Sequence, residues 1–246
     1  MRSRGDGAVT AARRRACGAG RIAGAGGLLA CMLLGAAPGV SLAAGAEARR
    51  ARAAALSEAR LLEAALNGLA GLVASFSQTL ESPALPRPQV ESGTMYLMRP
   101  ARMRWEYDTP QGKLAVADGR RSWLYLPEDR QALIAPLPDD GRHTGMSLLL
   151  RPRIDLERGF TIEWGPEPEG GGRRPLKLTP RVEQADYLYL LVEADAEHLI
   201  ASLAVIDPLG GRVTYRFTHT RRVATLDESL FRFTAPEGVD VQTLAP

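Results

Sequence analysis

Arg102-Met103-Arg104-Trp105-Glu106-Tyr107 alternates charged and apolar side chains with a period of two. A chain that alternates in this way makes a strand with one buried and one wetted face, because successive Cβ atoms point to opposite sides of a sheet. The alternation returns where Val213, Tyr215 and Phe217 alternate with Arg212, Thr214 and Arg216, and where Phe231 and Phe233 bracket Arg232. Further strands are expected at roughly 92–99, 113–118, 121–126, 130–135, 159–164, 174–179, 186–193 and 199–206. Between them stand turn signals: Thr109-Pro110-Gln111-Gly112, Asp118-Gly119, Gly170-Gly171-Gly172 and Asp207-Pro208-Leu209-Gly210-Gly211. About eleven short strands joined by such turns predict a mainly antiparallel sheet.

Two segments break the period of two. In residues 47–80, Leu62, Leu66, Leu69, Val73, Phe76 and Leu80 recur three or four apart, which predicts a helix with one apolar face. Gly68 and Gly71 weaken it, so it needs a surface to dock on. The proline-rich stretch Ser82-Pro83-Ala84-Leu85-Pro86-Arg87-Pro88 ends it. Mid-chain, His143-Thr144-Gly145-Met146-Ser147-Leu148-Leu149-Leu150 reads as a short apolar helix, with Thr144 as its cap. The simplest assembly is an incomplete, half-open antiparallel β-barrel. An N-terminal helix and a short inserted helix would then cover its concave face.

The N-terminus reads as an export signal. Arg13, Arg14, Arg15 and Arg21 precede the apolar run Leu28 to Ala37, and small residues from Ser41 to Ala46 follow. That run is well short of the roughly 20 residues that span a bilayer. A cleaved leader over residues 1–44 and one domain over 45–246 are therefore expected. The whole chain carries 31 basic and 28 acidic residues, but residues 1–44 hold six Arg and one Asp, so 25 basic and 27 acidic residues remain. The positive charge belongs to the leader and gives no reason to expect nucleic-acid binding. Both cysteines, Cys17 and Cys31, also lie there, so disulfides and thiolate metal sites are not expected in the domain. Leu28-Leu29-Ala30-Cys31 partly resembles a lipobox, which leaves open a lipid-anchored form of the protein.

Inside the barrel, Trp105, Tyr107, Tyr215, Phe217, Phe231 and Phe233 take the inward positions with Met95, Leu97 and Met103. Alternation by itself does not separate a filled core from a cavity. Arg99 shares the parity of Met95 and Leu97. It therefore either points inward, where a charge must find hydrogen-bond partners, or is turned outward by Pro100 at the strand end.

These residues resemble the outer-membrane lipoprotein carrier family, the LolA type. Val73-Ala74-Ser75-Phe76-Ser77-Gln78 is similar to the family's F-x-Q element, and Gly93-Thr94-Met95-Tyr96-Leu97-Met98-Arg99-Pro100 to its G-x-L/F-x-x-x-R-P strand. Trp105 with Pro110 matches W-x-x-x-x-P, and Asp118-Gly119 with Trp123, Tyr125, Pro127 and Gln131 matches D-G-x-x-x-W-x-Y-x-P and its downstream glutamine. Phe231-Arg232-Phe233-Thr234-Ala235-Pro236-Glu237-Gly238-Val239 resembles the closing F-x-F-x-x-P-x-G-V. The resemblance implies an unclosed barrel with a helical lid over an apolar cavity. On that analogy Phe76, Met95, Leu97, Met103, Trp105, Tyr107, Trp123, Tyr125, Leu148, Leu149, Tyr215 and Phe217 line the acyl site. Arg99 takes the place of the arginine that bonds lid backbone and holds the empty form closed.

The implied protein is a monomeric periplasmic carrier of acylated lipoproteins. It would be loaded by an inner-membrane ABC transporter, unloaded by an outer-membrane acceptor, and need no cofactor. An enzyme is disfavoured: there is no G-x-S-x-G, no H-E-x-x-H and no phosphate loop, and His143, His198 and His219 are scattered. Acidic residues such as Glu128, Asp129, Asp139 and Asp140 sit in loop-like surroundings. Three further readings share the fold: the anchored acceptor, if Cys31 is lipidated, a carrier of another lipid or glycolipid, and a sensing module.

Overall fold

The computed structural model describes residues 39–137, 145–168 and 171–244. Of the expected leader, only residues 39–44 fall within this range, as the start of helix α1 (Gly39–Asn67). Cys17, Cys31, Asp139, Asp140, His143 and Thr144 lie outside it. Ala55, Ala59, Leu62 and Leu66 form the buried stripe of α1, at helical spacings of four, three and four.

The helix stops at Asn67, short of Leu80 where the periodicity placed its end. Residues Gly71–Glu81 are instead strand β1. The apolar pattern fits either period: Leu72, Ala74 and Phe76 are buried at alternate positions, while Val73 is half-buried on the other face. Tertiary pairing decides between the two. β1 lies in the middle of the sheet and bonds on both edges, to β2 (Gln89–Met98) and to β11 (Arg212–Val223). Gly68, Gly71, Ser75, Ser77 and Thr79 are mediocre helix formers that give a helix little with which to compete.

The remaining strands are β3 (Arg102–Thr109), β4 (Leu114–Asp118), β5 (Arg121–Leu126), β6 (Gln131–Pro136), β7 (Phe160–Trp164), β8 (Leu176–Pro180), β9 (Tyr189–Ala194), β10 (Ile200–Ile206) and β12 (Asp240–Thr243). All twelve form one open sheet in the order β12-β6-β5-β4-β3-β2-β1-β11-β10-β9-β8-β7. Every neighbouring pair is antiparallel except β12 with β6. Gly93 is required where β2 meets β3, because a Cβ there would stand 2.8 Å from the Glu106 carbonyl carbon. The inserted segment Gly145–Leu150 is a 3-10 helix. A four-residue helix, α2 (Leu156–Gly159), follows it, capped by Asp155 accepting from the Arg158 N–H at 2.9 Å.

The expected strand around Phe231 does not form. Glu228–Phe231 is a second 3-10 helix, and it lies on the convex face of the sheet rather than inside the barrel. Arg102 and Arg104, which alternate with the buried Met103 and Trp105, show which face this is. The Arg102 guanidinium stands 6.0 Å from the Phe231 ring, and Arg104 donates to the Leu230 carbonyl at 2.9 Å. Phe233 then packs on Trp123 and Tyr125, each at 5.5 Å between centroids. The C-terminal segment thus crosses β3, β4 and β5 on the outside before pairing beside β6. Its last strand runs parallel to β6. Phe231 is 2% exposed, so Phe231→Ala should cost about 3–5 kcal/mol, read as a lower urea midpoint at unchanged m-value.

Candidate functional site

Strand register assigns the inward residues of the concave face. Leu97 faces Met103, Met95 faces Trp105 and Gly93 faces Tyr107 across β2 and β3; Phe76 faces Phe217 across β1 and β11. The rings interlock over the floor of the barrel. Phe76 meets Trp105 edge-on at 4.6 Å and Tyr107 at 5.1 Å, and Trp105 tilts against Tyr215 at 5.5 Å and Phe217 at 6.0 Å. Leu62, Leu66 and Leu69 close over this floor from the α1 side, with Leu148, Leu149 and Leu150 from the inserted helix. A void of about 20 Å³ remains between Leu66, Leu69, Leu149, Met95, Leu97 and Phe217. That is room for about one water and far less than an acyl chain needs.

Ten of the expected lining residues and Arg99 meet in or beside this region; Trp123 and Tyr125 do not. Val116 pairs with both Arg104 and Trp123, so Trp123 shares the outward face of Arg104, and Leu114 places Tyr125 there with Glu106. Ser122 and Leu124 are the inward residues of β5. The signal was present in the Asp118-Gly119 turn: a tight hairpin that pairs Ala117 with Ser122 fixes the parity of everything after it. Counting strand by strand without the turn assigns the wrong face.

At one end of the barrel floor, Arg99 ties strand to lid. Its Nη2 donates to the Arg151 carbonyl at 3.0 Å, the Pro152 carbonyl at 2.9 Å and Asn67 Oδ1 at 3.3 Å. Its Nη1 is buried with no hydrogen-bond partner among the described residues. Desolvation accordingly pushes the guanidinium pKa down from its ordinary value. Asn67, absent from the sequence expectation, completes the arrangement. Its amide donates to the Ile154 carbonyl at 2.8 Å and accepts from the Ile154 N–H at 2.9 Å, as a neighbouring strand would. In sequence, an Asn-Gly pair at a helix end reads only as a stop signal, and nothing local announces a partner 87 residues away. Other polar contacts fasten the exposed side of α1. Glu63 accepts from the Leu156 N–H at 2.8 Å, Arg60 meets Glu157 at 2.7 Å, and Glu58 meets His198 at 3.3 Å.

At the other end of the same strands the inward side turns polar. Lys113 Nζ donates to both Glu91 oxygens, at 2.6 and 2.8 Å, and stands 4.4 Å over the Tyr107 ring. Tyr107 donates its hydroxyl to Gln78 Oε1 at 3.2 Å. Burial, and then the neighbouring Tyr215 and Glu91, push the Tyr107 pKa well up; burial and Glu91 raise Tyr215 to about 12.

Two outcomes follow. Asn67→Ala leaves both polar backbone groups of Ile154 without their partner, so Ile154 amide hydrogen exchange should speed up and stability fall by about 1–3 kcal/mol. For the tyrosines, the folded pKa lies above the unfolded value of about 10, so the fold favours the neutral form. Their contribution is full below pH 10 and is lost as pH rises through the folded pKa. Tyrosinate absorbance should show a component near pH 12 that Tyr215→Phe removes.

Among the described residues no helix is long and apolar enough to cross a membrane. Residues 67–234 match the family model described as outer membrane lipoprotein carrier protein LolA. The chain is 33% identical over 183 residues to an outer-membrane lipoprotein carrier protein of Methylococcus capsulatus, covering 73% of this chain and 85% of that one. It is 29% identical over 180 residues to the protein of the same description in Xanthomonas oryzae pv. oryzae, at the same coverage. Among solved structures, a LolA superfamily protein from Nitrosomonas europaea aligns over 70% of this chain and 96% of its own, at 9% identity and a TM-score of 0.39.

Proposed function

This chain belongs to the outer membrane lipoprotein carrier family, LolA, and from that membership we propose that it shields the acyl chains of lipoproteins beneath its lid while they cross the periplasm. An inner-membrane ABC transporter would load it and an outer-membrane acceptor would relieve it of its cargo. The observation that carries this reading is the pairing of an apolar, closed interior with a polar latch. α1 and the inserted helix meet the barrel floor through leucine, methionine and aromatic side chains, and at their edge Arg99 and Asn67 hold the lid backbone.

The physical problem is release. Each buried methylene contributes about 0.8 kcal/mol, so one 16-carbon chain represents roughly 12 kcal/mol as an upper estimate. An apolar pocket open at no cost would hold such a chain too tightly to pass it on. Here the void beneath the lid holds about one water, so acyl chains would enter when the leucines of the lid withdraw from Met95, Leu97 and Phe217. Withdrawal parts Arg99 from the Arg151 and Pro152 carbonyls, at about 1.5–3 kcal/mol for each hydrogen bond made by a charged donor. The closed state therefore competes with cargo for the same surface. Reclosure helps to drive the acyl chains toward a tighter acceptor.

The test is Arg99→Leu. Weakening the closed state while preserving the apolar floor should leave lipoprotein binding equal or tighter. Onward transfer to acceptor-bearing outer-membrane vesicles should fall at least tenfold. Unchanged transfer would show that the latch does not control release. Loss of binding in the wild-type protein itself would remove the carrier reading.

A further inference from the structure

Four adjacent strands change character at the same level of the concave face. Along the inward side of β2 the residues run Leu97, Met95, Gly93 and then Glu91; along β1 they run Leu72, Ala74, Phe76 and then Gln78. β3 passes from Met103 and Trp105 to Tyr107, and β11 from Phe217 to Tyr215. Lys113, just before β4, joins the same level by donating to Glu91. The apolar floor thus begins at Arg99 and stops at a band of polar side chains. At about 3.3 Å per residue, the six steps from Leu97 to Glu91 span about 20 Å, comparable to an extended long-chain acyl group.

We propose that the cluster of Glu91, Lys113, Tyr107 and Gln78 is the end wall of the acyl site, a stop that sets the length of acyl chain the carrier accommodates. The inference rests on the carrier reading above and concerns the same cavity. Three observations support a wall rather than a subsite for the polar part of the cargo. The cluster satisfies itself, since Lys113 bonds both oxygens of Glu91 and Tyr107 gives its one proton to Gln78. Lys113 and Glu91 are largely withdrawn from water, with 16% and 21% of their side chains exposed, so a passing hydrocarbon would have to displace a formed ion pair. The latch, where the lid can part, lies at the opposite end of these strands.

The ion pair is also not what a fold needs at that spot. Replacing a buried pair by apolar residues of similar volume is commonly neutral or stabilising, so stability alone does not account for the pair. A methyl terminus that meets the pair gains nothing from further methylenes, because each would go back into water or separate the ions. Affinity should therefore rise with chain length up to the wall and then level off.

The experiment is a chain-length series on the full mature protein. The probes are short peptides N-acylated with a single saturated chain, from dodecanoyl to docosanoyl, titrated by calorimetry against wild type and Glu91→Leu/Lys113→Met. Wild type should gain about fourfold per methylene, equivalent to about 0.8 kcal/mol, and then plateau within the series. The double variant should move the plateau to longer chains, gaining at least tenfold for the longest probes and less than twofold for the shortest. If that variant fails to fold, Gln78→Leu/Tyr107→Phe, which leaves the ion pair intact, should move the plateau in the same direction by a smaller amount. An unmoved plateau, or none in wild type, overturns the end wall and leaves the carrier reading standing. Absence of binding by any probe to wild type removes both.

Discussion

An open sheet whose concave face is apolar cannot cover that face with its own strands, and the rest of the molecule answers to this constraint. Twelve strands curl far enough to bring Phe76, Trp105 and Phe217 together, but the barrel does not close: β7 and β12 end the sheet on opposite sides. Exposed apolar area of that size would favour association. Covering it falls to α1 and the inserted 3-10 helix. Burial of residues such as Leu62, Leu66 and Leu149 favours docking, and the polar bonds around Asn67 and Arg99 fix where the pieces dock.

The two contributions differ in character, and the proposed release depends on that difference. Apolar contact is non-directional and falls off gradually as surfaces slide. Hydrogen bonds from Arg99 to carbonyls are lost over a fraction of an ångström, so they give the closed state a defined geometry. A buried Nη1 without a partner among the described residues means that this geometry is held at some electrostatic cost. Tight hydrophobic closure alone would make a stable small protein. Closure that is partly polar and imperfectly satisfied suits the proposed exchange of lid for cargo.

The convex face solves a different problem with the C-terminal segment. Phe231 and Phe233 cover Trp123, Tyr125 and the outward side of β3 and β4, which builds a second, smaller core outside the barrel. Ending as β12, the segment pairs with β6, whose other edge would otherwise offer unbonded N–H and C=O groups to another chain. Aromatic residues therefore stand on both sides of the sheet, under the covering helices within and under the C-terminal segment without.

That division also marks how far the sequence could be read. Alternation around Trp105 and Tyr215, turn residues at Asp118-Gly119 and Asp207 to Gly211, and the leucine stripe of α1 determined the strands, the sheet and the need for a lid. These are local properties, set by the periodicity of Cβ directions and by turn stereochemistry. Long-range pairing settled what local pattern left ambiguous. Residues 71–81 fit helix or strand until β2 and β11 supplied partners on both edges. Trp123 and Tyr125 went to the outer face once the turn fixed their register, and Phe231 followed because the chain crossed the sheet on the outside. Asn67 and the Glu91–Lys113 pair acquired meaning only when residues distant in sequence came within 3 Å of one another. A polar side chain's role depends on which partners desolvation leaves it, and the fold alone chooses those partners.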